Sequence, residues 1–149
     1  MKHLFIKFFI IAVGFMAFNS VSAFAQQVNK DWGGVAVKGY DVVSYFKEQK
    51  PVKGSKEFVS EYNGAKWYFS SKDNKEEFSK EPLKYVPQYG GFCAFGVSQN
   101  HTADIDPNAW TVVNGKLYLN YNQAVSKKWN QERELLIQKA DQNWPNLNK

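Results

Sequence analysis

The dipeptide Asn63-Gly64 and its later counterpart Asn114-Gly115 constrain this chain more than any other feature. Each stands between two short runs rich in aromatic and β-branched residues. Phe58 to Tyr62 and Ala65 to Phe69 flank the first, and Trp110 to Val113 and Lys116 to Leu119 flank the second. Both central positions of a two-residue hairpin turn need positive φ, which glycine adopts freely and asparagine tolerates. Two antiparallel β-hairpins are therefore expected.

Helical signals follow each hairpin. Ser71 or Asp73 can cap a helix, with Asp73 and Glu76 resembling a capping box and Phe78 as the buried face. Pro82 ends that helix or starts the next turn. Asn120 or Asn122 caps a long C-terminal helix whose inward stripe is Val125, Trp129, Leu136 and Ala140. Pro145 is expected to stop it and to hold Trp144 out of the helical region. Tyr62 to Phe78 and Val113 to Trp129 thus read alike, as a β-hairpin–α unit used twice or as a chance likeness of pattern. Either way the class is α+β, antiparallel hairpins packed with helices. Before the first hairpin, Asp41 caps a short helix, and Lys47 to Lys56 reads as a loop. Tyr89 to Gly96 alternates aromatic and small residues, which fits a buried strand or a loop where backbone approaches backbone.

The start of the chain reads as an address. Lys2, His3 and Lys7 precede an almost continuously apolar run from Phe8 to Phe18, and Ala23-Phe24-Ala25 offers a small-x-small cleavage site. That order marks a secretory signal peptide over residues 1–25. The apolar run falls short of the roughly 20 residues needed to span a bilayer. The expected location is exported, periplasmic first and secreted second, with no membrane attachment after cleavage. Residues 26–38 read as a flexible leader and 39–149 as the folded domain.

The remaining length suits one domain. Cleavage would lower the formal net charge of +5, because Lys2 and Lys7 leave without any acid. The residual basic excess is interspersed with glutamates, so nucleic acid is not an expected partner. One cysteine permits neither an intrachain disulfide nor a four-cysteine zinc site. Phosphate-loop, dinucleotide, nucleophile-elbow and zincin motifs do not occur, which removes the main support for nucleotide, flavin or hydrolase chemistry.

Several motifs in order resemble a known family. Tyr62-Asn63-Gly64, Trp67-Tyr68-Phe69-Ser70, Phe78, Pro82 and Tyr85 are similar to the core of YHS domains. Gly39-Tyr40-Asp41, Pro87 to Ala94, Asp106-Pro107, Ala109-Trp110, Asn114 to Tyr118 and Asn143-Trp144-Pro145 extend the likeness to the exported, free-standing YHS-domain proteins of bacteria. The resemblance implies binding of a transition metal, copper above all. It also implies a departure, because the pump-associated forms carry cysteines where this chain has Ser44, Ser70 and Asn74. Thiolates suit Cu(I), whereas hydroxyls and amides do not.

Any site would then have to lie around Cys93 and His101, the thiol and imidazole of the chain after residue 25. Asp104 and Asp106 stand nearby. Cys93, His101, Asp104 and Asp106 together offer a ligand set for copper or another transition metal. Burial of Cys93 as a small hydrophobe, with the two aspartates building a turn before Pro107, is the plainer reading. A thiol-dependent redox protein or enzyme, with His101 activating Cys93, is a second functional reading. Tyr40 and Asp41 are pocket candidates, against capping by Asp41 and packing by Tyr40. A third reading is a non-catalytic interaction module that meets a protein partner through its aromatic surface.

Overall fold

The computed structural model describes residues 26–149. The signal-peptide reading of residues 1–25 lies outside them. In chain order the elements are a tight turn at Val37–Gly39, α1 (Ser44–Lys47), β1 (Ser55–Tyr62), β2 (Ala65–Phe69), α2 (Lys72–Lys80) and α3 (Pro82–Tyr85). A second tight turn at Gln88–Gly91 leads to α4 (Ala94–Ser98), β3 (Asp106–Val113), β4 (Lys116–Asn120), α5 (Gln123–Gln131) and α6 (Arg133–Leu147). The fold is α+β, with two antiparallel hairpins and helices packed on them.

Both hairpins turn where the Asn-Gly pairs require. Asn63 and Gly64 have φ of 51° and 71°, and Asn114 and Gly115 have 51° and 72°. Tyr62 faces Ala65 across the first turn, and Val113 faces Lys116 across the second. An isolated two-stranded hairpin is marginal in water, so each needs a helix against its apolar face. Ser71 caps α2 through its side chain, which accepts from the N–H of Asn74, and Asn122 caps α5 by accepting from that of Val125.

The two halves repeat at a fixed spacing. The register of β1 on β2 slips between Ser55 and Val59, and that of β3 on β4 slips between Asp106 and Trp110. The caps Ser71 and Asn122 and the helix-ending Glu81 and Glu132 occupy matching places. Even the isolated left-handed residues Gln49 and Asn100 correspond. Every one of these pairs is separated by 51 residues. The β-hairpin–α unit is used twice in the structure, down to its bulge.

Two apolar clusters meet on β4. Leu117 and Leu119 face the cluster of Val42, Val43, Tyr45, Trp67, Phe69 and Phe78. Tyr118 faces the other, with Tyr89, Trp129, Leu136 and Ala140. Alternate side chains leave opposite faces of a strand, so one strand can serve two cores. Full burial of each large side chain contributes about 1.5–3 kcal/mol.

Three expectations are corrected. The C-terminal helix is long, as expected, but it runs over Arg133–Leu147 and does not start at Asn122: Glu132 (φ −131°, ψ 29°) separates it from α5, so Val125 and Trp129 lie on α5 and Leu136 and Ala140 on α6. Pro145 lies inside α6, and Trp144 is helical, because a proline in the last turn forfeits only one bond where the helix is about to end. Residues 26–38 are joined to the domain. Asp31 accepts from the N–H groups of Gly33 and Val35, closing a turn at the two glycines. Val35, Ala36 and Val37 are buried, and the N–H of Ala36 donates to the carbonyl of Lys66 at 2.9 Å. Polar composition hid a short apolar run that finds a strand edge.

The Tyr89–Gly96 segment is a close-approach loop running into α4. The N–H of Asn29 donates to the carbonyl of Gly90 at 2.9 Å, and a Cβ at Gly90 would collide with the carbonyl oxygen of Gln27.

Candidate functional site

Asp41 is the most densely bonded side chain of the molecule's first half. It is fully buried. One carboxylate oxygen accepts from the N–H groups of Val43 (2.9 Å) and Ser44 (3.3 Å), which starts α1. The other accepts from the N–H and the hydroxyl of Ser70 (2.8 and 2.7 Å) and from the side-chain amide of Asn74 (2.8 Å). The hydroxyl of Ser44 turns back to the carbonyl of Asp41 at 2.7 Å. Asp41 thus ties α1, the end of β2 and the first turn of α2 into one node. Buried carboxylates are tolerated when donors surround them in this way. Tyr40 does not join it; its ring is half-buried and lines an open cleft with Lys38, Asp106 and Tyr121.

The second half builds the same helix start differently. At the 51-residue spacing Phe92 stands where Asp41 does in the first half, and a phenyl ring offers no acceptor to the N–H of Phe95, the counterpart of Ser44. Asn120, at the end of β4, supplies the oxygen instead. It accepts from the N–H of Phe95 at 3.0 Å and from the Cys93 thiol at 3.6 Å. Asn120 is fully buried and Cys93 is 2% exposed. The N–H of Cys93 donates to the carbonyl of Ala103 at 3.0 Å. The sulfur is enclosed, and the free thiol is a packed core group.

His101 is exposed, with Nδ1 3.5 Å from the carbonyl of Gln99. Asp104 pairs with Lys38 at 2.8 Å and accepts from the side chain of Asn29 at 3.2 Å and the N–H of Ile105 at 2.8 Å. Burial pushes its carboxyl up, but those bonds outweigh it and hold the carboxyl below its usual range. Asp106 accepts from the backbone and side-chain nitrogens of Asn108, closing a turn over Pro107. Cys93, Asp104 and Asp106 each have a local task, and His101 stands exposed. Among the described residues no three His, Cys, Asp or Glu side chains come together as a metal site. The set of Cys93, His101, Asp104 and Asp106 is not brought to one point.

Asp104 and Asp106 border accessible clefts. A cleft of about 590 Å³ opens between the N-terminal segment and the approach to β3, lined by Asn29, Lys30, Trp32, Lys38 and Asp104 among others. Trp32 is fully exposed at its rim. Val37, buried beneath, has a φ of 49°, and Lys38 beside it 52°. A β-branched residue in the left-handed region is strained, and such strain persists only where packing enforces it. Sequence reasoning passed over Trp32 and Lys38, placing them in a leader. An isolated tryptophan between Asp31 and two glycines was the available signal.

With this geometry in view, comparison with protein families finds a match to the YHS domain over residues 43–89. That segment, about a third of the chain, is similar to a YHS domain. Comparison with curated proteins and with solved structures gave no match. The YHS segment begins two residues after Asp41 and includes Ser44, Ser70 and Asn74, while Cys93 and His101 fall beyond it. YHS domains are associated with metal binding in general. A thiolate-bound metal does not fit the frame of this one. The three positions that hold cysteines in the pump-associated forms supply two hydroxyls and an amide here. The Ser70 hydroxyl and the Asn74 amide donate to the Asp41 carboxylate, which accepts five donors in all, and the Ser44 hydroxyl donates to the backbone carbonyls of Asp41 and Lys50.

Proposed function

We propose that this protein is an exported, non-catalytic YHS protein whose domain works as a recognition scaffold rather than as a thiolate metal centre. The observation that carries this reading is the closed node at Asp41. Where a metal-binding relative would need open ligands, Ser44, Ser70 and Asn74 spend their polar groups on one buried carboxylate or on nearby backbone. The enclosed sulfur of Cys93 weighs against both copper buffering and thiol chemistry, since each needs a thiolate that reaches its reactant. No helix among the described residues is long and apolar enough to cross a membrane, which is compatible with export through a cleaved leader. What remains accessible is the clefted face formed by the N-terminal segment, the β1 entry and the β3 approach.

Anaerobic titration of the reduced protein with Cu(I), beside Cys93→Ser, tests the reading. Weak binding, equal in both proteins and without effect on the melting temperature, is expected. Stoichiometric binding that raises the melting temperature and disappears with Cys93→Ser would overturn it.

A further inference from the structure

We propose that the groove beside Tyr68 binds a small multivalent oxyanion, a ligand carrying two or more carboxylate or phosphate groups. The inference rests on the scaffold reading above and gives that scaffold a ligand class. Lys38, Lys53, Lys56 and Lys66 line a groove of about 490 Å³ together with Asp31, Tyr68 and the backbone of Gly39 and Gly54. The lysines come from three stretches of the chain, Lys38, Lys53 with Lys56, and Lys66, and main-chain bonds bring these together. The N–H of Lys66 donates to the carbonyl of Gly34, and that of Gly54 donates to the carbonyl of Gly39, both at 2.8 Å. Tyr40 bridges to Lys53. Lys56 sits inside the register slip of β1, and Lys38 sits in the left-handed turn. Bulges and strained turns re-aim side chains and collect near functional surfaces.

The charge around this groove is not fully compensated. Lys38 is paired with Asp104. Lys53, Lys56 and Lys66 are exposed and form no ion pair among the described residues. The groove's carboxylate, Asp31, gives one oxygen to the N–H groups of its own turn and offsets at most one of the three charges. Three unpaired ammonium groups around one concavity raise the local concentration of anions. Ammonium groups act as point charges rather than planar forks, so they select charge and spacing more than shape. The volume lies in the range of small-ligand sites and is too small for a folded partner. The half-buried ring of Tyr68 gives the ligand's apolar part a wall.

Calorimetric titration of the full chain with tripolyphosphate and, separately, with citrate tests this at low and at physiological salt. Saturable one-to-one binding of at least one probe is expected, weaker at higher salt. The stronger of the two identifies phosphate or carboxylate as the preferred group. The triple variant Lys53→Gln, Lys56→Gln, Lys66→Gln should lose at least tenfold in affinity, while Lys80→Gln, Lys127→Gln, Lys139→Gln, with the same change in net charge, should stay within about twofold. Equal loss in both variants, or no saturable binding of either probe, would overturn the groove. Neither result bears on the Cu(I) titration, so failure of the groove and failure of the scaffold reading are told apart.

Discussion

The side-chain amide of Asn74 donates to the carboxylate of Asp41 at 2.8 Å across a space from which water is excluded. The amide is itself held from the other side, where Lys47 donates to its oxygen at 3.2 Å. The contact joins the first turn of α2 to the residue that starts α1. It also makes Asp41 the residue on which the first half of the molecule depends most.

Replacing Asp41 with asparagine keeps the shape and reverses the chemistry. One oxygen becomes an NH2 group that faces donors it cannot satisfy. Hydrogen bonds to a charged group contribute about 1.5–3 kcal/mol each, and unmade buried ones cost about as much. Asp41→Asn should therefore lower the unfolding free energy by about 2–4 kcal/mol, read from the urea midpoint with an unchanged slope. A loss within about 0.5 kcal/mol, the size of ordinary surface changes, would contradict the role given to this node.

The Cys93 thiol should react slowly. Its 2% exposure and its contact with Asn120 mean that an alkylating reagent reaches it only when the structure opens. Labelling in native buffer should be slower than in denaturant by orders of magnitude, and His101→Ala should leave the native rate unchanged. Fast native labelling that slows with His101→Ala would restore an activated thiol.

Much of this architecture could be read from residues. The Asn-Gly turns, the cap at Ser71 and the α+β class follow from local backbone preference, which sequence carries directly. The break at Glu132 could not be read, because the apolar stripe keeps its period across it. Nor could the helical setting of Trp144 before Pro145, which tertiary packing decides. For the site, Cys93 and His101 stand out by being single, and the plainer reading of Cys93, a small buried hydrophobe, is the one the structure bears out. Asp41 was read as a cap, and it is one. Its further bonds to Ser70 and Asn74 depend on long-range placement that no spacing rule reports.

Tyr45 should reveal itself in alkali. Its hydroxyl donates to the carbonyl of Pro107 at 2.8 Å, deep in the core. Burial first, then the neighbouring Tyr40, Asp106 and Asp41, push its ionisation well above the usual tyrosine value. A group whose folded pKa is raised contributes stability below its unfolded value, near 10, and that contribution is lost as pH rises beyond it. Tyr45→Phe keeps the ring against Trp110, 5.4 Å away. The variant should cost about 1–2 kcal/mol at neutral pH by orphaning the Pro107 carbonyl, and its stability should fall less steeply above pH 10. Parallel alkaline limbs for the two proteins would show that Tyr45 does not govern this range.

Acid should act first on the N-terminal segment, through Asp104. Burial pushes its carboxyl up, but Lys38, the N–H of Ile105 and Asn29 favour the charged form and hold it below the ordinary aspartate range. A depressed folded pKa contributes stability above the unfolded value, and the contribution disappears as pH falls through the folded one. Loosening should therefore set in below about pH 4, the unfolded aspartate value. The Lys38 and Asp104 side chains are 49% and 56% exposed, so solvent screening keeps the pair below about 1 kcal/mol. Asp104→Asn should lower stability slightly at pH 7 and flatten the fall between pH 5 and pH 2, roughly the window of a carboxylate titration. Because Asn29 bonds both Asp104 and the Gly90–Gly91 turn, the Asn29 N–H should also lose its hydrogen-exchange protection earlier in acid than the N–H groups of β4. Loss of protection at both places together, with identical acid limbs in the two proteins, would place the acid-sensitive contact elsewhere.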